Sequence, residues 1–161
     1  MTSLNRLIGL PVVLKGRRQG QVEQGILDPS GKSLRGLVIR NGIRGAKWLP
    51  ASQISALGGV SVLTQTPPQR LPRNVQMRLG PVWDTSGLRL GMVTDVYLDD
   101  DLSVSALEIS LGPLDDYRFG RMLTQAYTLL KDGSATKVLT SLDALTPLAA
   151  LQRKEESHEP W

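Results

Sequence analysis

The 161-residue chain contains no cysteine, which excludes disulfides, thiolate catalysis and thiolate metal sites. Its single histidine, His158, stands among the last four residues, so no histidine-based triad or multi-histidine metal centre is available. Aromatic residues make up only 4% of the chain. Valine, leucine and isoleucine must therefore build the core, and they favour pleated strands over wide ligand pockets. No apolar run approaches the roughly 20 residues needed to cross a bilayer as a helix, and the N-terminus has no signal-peptide core. These features predict a soluble protein of the cytoplasm with no membrane-spanning segment.

Acidic residues are scarce in one half only. Between Met1 and Met77 there are 11 Lys and Arg against Glu23 and Asp28 alone, a balance of +9; the remainder holds 8 against 13, or −5, and the sum is the net +4 of the chain. An electrostatic partner meets a dipolar molecule.

An internal repeat is present. Gly20-Gln21-Val22 to Leu27-Asp28 returns as Gly91-Met92-Val93 to Leu98-Asp99, 71 residues later, and Leu34 to Ile39 returns as Val104 to Ile109, 70 residues later. In the first half, Pro11 to Leu14, Gly20 to Leu27, Leu34 to Arg40, Ile43 to Leu49 and Val60 to Leu63 read as strands separated by turn residues. Asn41-Gly42 has the signature of a two-residue type I′ hairpin, which would set Arg35 opposite Trp48. The second half repeats the scheme with Pro81 to Asp84, Gly91 to Leu98, Val104 to Leu111, Phe119 to Leu123 and Ala135 to Leu139. Its third turn, Gly112 to Tyr117, reads as a longer polar loop. The expected organisation is a basic module over 1–65, a proline-rich linker over 66–76, an acidic module over 77–152 and a flexible tail over 153–161. The second module should close with a short helix having Thr146 as N-cap and Pro147 at its first position.

The Gly-led strand ending in Leu-Asp, the Leu34-x-x-Leu37-x-Ile39 strand and Lys47-Trp48-Leu49-Pro50 together resemble the PRC-barrel family. That family includes the cytoplasmic domain of the photosynthetic reaction-centre H subunit, the C-terminal domain of the ribosome-maturation factor RimM, and small stand-alone bacterial proteins. The resemblance runs over roughly Leu4 to Leu139. It implies a mainly β fold of two tandem small PRC-type β-barrels with a short C-terminal helix, and a non-enzymatic adaptor that binds a protein partner, within or peripheral to a membrane-bound or ribosomal assembly.

Candidate chemistry is sparse. Asp99-Asp100-Asp101 lacks the spacing of a calcium loop and reads as a solvated turn. Asp115 and Asp116 are adjacent carboxylates with no burial to separate their pKa values. The reading is of a protein with no catalytic residues, cofactor or metal. What remains is the basic set Lys15, Arg17, Arg18, Lys32, Arg35, Arg40, Arg44 and Lys47. The residues assigned to partner binding are Arg17, Arg18, Arg35, Arg40, Arg44, Lys47 and Trp48. Trp48 has two open roles, an interface anchor beside arginines or a core residue. The basic half also suits RNA or a ribosome, and the acidic half could be its counterpart within the chain or across a homo-oligomer.

Overall fold

A computed structural model describes residues 1–75, 79–132 and 135–156. The chain forms two compact units, Met1–Met77 with Tyr97–Ser105, and Arg78–Val96 with Ala106–Trp161. The fold is mainly β, with a few short helices.

In the first unit, β1 (Thr2–Ser3) leads into α1 (Leu4–Leu7), whose first turn is capped by the Ser3 hydroxyl. The strands β2 (Pro11–Leu14), β3 (Arg17–Leu27), β4 (Leu34–Arg40), β5 (Ala46–Pro50), β6 (Ile54–Leu57), β7 (Val62–Thr64) and β8 (Gln69–Arg70) follow. They form one sheet in the order β6-β7-β2-β3-β4-β5-β8. The β2–β7 pair is parallel and the other neighbours are antiparallel. Val12, Val22, Leu37, Ile39, Leu49 and Val62 are buried and form its centre. The Tyr97–Ser105 segment completes this unit. Thr2 pairs with Leu98, Ser33 bridges Ser103, and the Leu34 N–H donates to the Leu102 carbonyl while the Val104 N–H donates to that of Lys32.

The second unit contains β9 (Leu79–Trp83), β10 (Arg89–Leu98) as far as Val96, β11 (Val104–Ser110) from Ala106, α2 (Pro113–Phe119), β12 (Met122–Thr124), β13 (Thr128–Asp132), β14 (Ala135–Leu139), β15 (Thr146–Pro147) and α3 (Leu148–Glu156). Its sheet order is β13-β14-β9-β10-β11-β12-β15. Strand for strand this is the order of the first sheet, and the parallel pair β14–β9 occupies the place of β7–β2. Registers also correspond. Val12 faces Val62 as Val82 faces Val138, and Ile39 faces Lys47 as Ile109 faces Met122. The sequence repeat is thus a repeat of one strand order.

Several expectations are corrected. Asn41-Gly42 does not make a two-residue turn: Arg40 pairs with Ala46, and residues 41–45 form a five-residue loop with a single turn of 3-10 helix at Gly42–Arg44. Asn41 has φ −123°, outside the left-handed region that a type I′ turn needs. The positive φ values fall instead at Gly42 and Gly45. Of the expected linker, Gln69–Arg70 pairs with β5 and Val75 is buried, so its described residues 66–75 contribute to the first unit, and 76 lies outside the described residues. Gly112 to Tyr117 is not a polar loop but the connection into a helix, α2. Thr146 and Pro147 are not the start of the C-terminal helix; they form β15 on β12, an edge position where proline costs no ladder bond. The expected tail is helical as far as Glu156, and 157–161 lie outside the described residues.

One glycine shows why this packing needs its residue. A Cβ at Gly36 would meet the Trp48 ring at 2.5 Å and the Leu49 carbonyl oxygen at 2.6 Å. The indole lies in the space the missing side chain leaves. Gly36→Ala should therefore destabilise the first unit by about 1–3 kcal/mol, measured as a lowered urea midpoint with a shift in Trp48 fluorescence.

Candidate functional site

The basic side chains assigned to partner binding sit on β3, β4, β5 and the loop joining the last two, while Lys15 and Lys32 lie in the turns before and after β3. Arg17 and Arg18 open β3 opposite Leu14 and Val13. The Arg18 guanidinium donates to the Gln21 side-chain oxygen at 3.2 Å. Gln21 is the register neighbour of Arg40, and the Arg40 guanidinium reaches the Glu23 carboxylate at 2.7 Å. The ladder slips a residue between Val22 and Gln24, so Glu23 is the unpaired bulge residue. Arg18, Gln21, Arg40 and Glu23 form one polar strip across β3 and β4. Hydrogen bonding and charge from Glu23 hold Arg40 still more firmly protonated than usual.

The rest of the set is placed differently. Lys47 lies between Ile39 on β4 and Arg70 on β8, so two cations are direct cross-strand neighbours, which is unfavourable unless an anion lies near. Strand alternation puts Lys47 on the opposite side of β5 from Ala46 and Trp48. Arg44 is exposed on the 41–45 loop beside Ile43, which is fully exposed. Arg35 is the bulge residue between the pairs Ile26–Gly36 and Leu27–Leu34. Its guanidinium carbon is 5.8 Å from the centre of the Trp48 ring. The structure thus brings Arg35 to Trp48, although the strand partner of Trp48 is Val38. Trp48 itself is only 4% exposed and packs with Ile26, Val38 and Val75, flanked by Ala46 and Leu71. It fills the core role of the two that its sequence context allows.

Both carboxylates of the first half are already engaged. Glu23 holds Arg40. Asp28 accepts from the Ser30 hydroxyl at 2.7 Å and from the backbone N–H groups of Lys32 and Ser33 at 3.0 and 3.2 Å. Partial burial pushes the Asp28 carboxyl up, but together these hydrogen bonds outweigh it and hold the group below the usual carboxylate value. A carboxyl whose folded pKa is depressed adds stability above its unfolded pKa and loses it as pH falls through the folded value. Asp28→Asn should flatten the decline in urea midpoint below about pH 4, leaving the profile near neutrality parallel to that of the parent chain. Among the described residues, Arg17, Arg18, Arg35, Arg44 and Lys47 make no ion pair with a carboxylate.

The matching registers show what the second unit keeps. Arg18 corresponds to Arg89, since Val13 faces the one as Trp83 faces the other. At the remaining positions Arg17 becomes Leu88, Arg35 becomes Ser105, Arg40 becomes Ser110, Lys47 becomes Met122 and Trp48 becomes Leu123. The basic strip is a property of the first copy alone.

The acidic candidates form no reactive constellation. Asp101 accepts from the Ser103 hydroxyl and N–H within its own turn. Asp116 accepts from the Ser110 hydroxyl and the Leu111 N–H and lies 3.3 Å from Arg121, while Asp115 points into solvent on α2. Among the described residues no three His, Cys, Asp or Glu side chains group as metal ligands, and no helix is long and apolar enough to cross a membrane. His158 lies outside the described residues. Sequence reasoning missed α2 and its exposed Leu114, Tyr117 and Phe119. The signal was there: Pro113 at the first position, Asp115 and Asp116 in the first turn and Gly120 at the end. No protein-family model matches the chain, and no curated protein matches it in sequence.

Proposed function

We propose that the protein is a tandem PRC-barrel-type adaptor with no chemistry of its own, and that its first unit docks an acidic surface of another protein. The observation that carries this reading is the exposed basic strip of β3 and β4 with the cations around it. The acidic residues of that half are consumed locally, and all but one of the matching positions in the second copy of the repeat are uncharged. A sheet that needed these cations only to protect its edges would be expected to show them in both copies. The scarcity of exposed aromatic side chains among them favours a protein over RNA, whose bases are read largely by stacking.

The test is affinity capture with the full chain across a salt series, with and without nuclease. A protein partner retained at about 0.1 M salt and released at several times that concentration supports the reading, because exposed charge pairs are screened over that range. Loss of all captured material on nuclease treatment, or no partner above background, overturns it.

A further inference from the structure

We infer that α2 is the contact of a weak, two-fold symmetric homodimer, built by the second unit and independent of the basic strip. The first unit joins its equivalent strands, β4 and β5, with the five residues 41–45, whereas β11 and β12 are joined by the eleven residues 111–121. The hairpin does not need the helix to close. Nor does α2 contribute to the core: none of its residues is buried, and Leu114, Tyr117 and Phe119 are 64%, 90% and 60% exposed. Seven residues are too few to hold a helix in water unaided. Asp116 is its tether, through Ser110, the Leu111 N–H and Arg121.

The occupant follows from the order of the side chains. At about 100° per residue, Leu114 and Arg118 lie nearest the direction away from Asp116, with Tyr117 on one flank and Asp115 and Phe119 on the other. A second α2 laid antiparallel about a two-fold axis midway between Asp116 and Tyr117 meets like flank with like flank. Asp115 then stands at the height of Arg118 of the other copy, and Arg118 at the height of its Asp115, giving two opposite-charge pairs. The two Tyr117 rings meet beside the axis, and Leu114 stands level with Phe119 of the other copy. This self-complementarity is what an isologous contact requires. An aromatic side chain buries about 150–250 Å² when fully covered, so the patch falls short of the roughly 1,200 Å² of a strong interface. Association should be seen only at concentrations on the order of 10 µM or above.

Sedimentation velocity of the full chain over roughly two decades of concentration spanning that value tests this, with circular dichroism confirming that each variant is folded. The parent chain should pass from monomer to dimer. Leu114→Ser with Tyr117→Ser should remain monomeric. Asp115→Arg and Arg118→Asp should each remain monomeric alone, because like charges then oppose, and an equimolar mixture of the two should dimerise through restored pairs. A parent chain that is monomeric throughout, a dimer that survives all these substitutions, or a mixture no more associated than its components would overturn the inference.

Discussion

Gly91→Ala should cost the second unit about 3 kcal/mol or more, a large part of the roughly 5–15 kcal/mol that holds a small domain together. A Cβ at Gly91 would overlap the carbonyl oxygen of Ser110 and approach the Ser110 carbonyl carbon to 2.9 Å and the Leu111 Cα to 3.2 Å. All three are backbone atoms, so no side chain can rotate away. Gly20 holds the matching position in the first unit, where a Cβ would lie 2.6 Å from the carbonyl oxygen of Arg40, the residue equivalent to Ser110. Its φ of +142° adds strain for any other residue. Gly20→Ala should therefore be comparably damaging, as two copies of one sheet require. Gly59, with nothing within 4 Å of the added atom, is the control and should tolerate alanine. Urea unfolding measures all three, and a loss under about 1 kcal/mol at Gly91 would contradict the close strand approach.

Arg18→Glu combined with Arg40→Glu should weaken partner binding at least tenfold, about 1.4 kcal/mol. Each reversal removes two charges, so the first half falls from +9 to +5. Both changes strike the same strip, since Arg18 bonds Gln21 and Gln21 neighbours Arg40. Arg40→Glu also leaves Glu23 without its counter-ion. Arg89→Glu at the one matching cation of the second unit should leave binding within about twofold, because an isolated rim charge contributes little. Binding is measured by titration against the captured partner at two salt concentrations. The parent should be salt-sensitive and the double variant much less so. Equal affinity of parent and double variant would move the docking surface elsewhere.

The repeat, the main strands and the basic bias were legible in the sequence because each rests on local pattern. Leu34–Arg40 and Ala135–Leu139 form strands with the expected bounds. The 71-residue and 70-residue offsets reappear as matching strand orders and registers. What failed depended on tertiary context. Asn41-Gly42 suits a tight turn, but β4 and β5 pair three residues further along, where Val38 and Trp48 both reach the apolar cluster with Ile26 and Val75. Packing overrode local turn preference. Residues 69–70 stand between prolines at 67–68 and 72 and looked unfit for a ladder, yet two residues suffice at a sheet edge. The division of the basic set between the β3–β4 strip, the 41–45 loop and the far side of β5 could not be read from composition, because it depends on bulges at Glu23 and Arg35 that change which side each residue takes.

The docking role of the first unit is tested most directly by crosslinking mass spectrometry on intact cells with an amine-reactive reagent. Lys15, Lys32 and Lys47 are exposed in the first unit, and Lys131 and Lys137 serve as reporters on the second. Recurrent crosslinks from Lys15, Lys32 or Lys47 to acidic segments of one partner protein are expected, lost in the Arg18→Glu, Arg40→Glu variant. Crosslinks to other proteins that arise only from Lys131 and Lys137, or that persist unchanged in that variant, would contradict it.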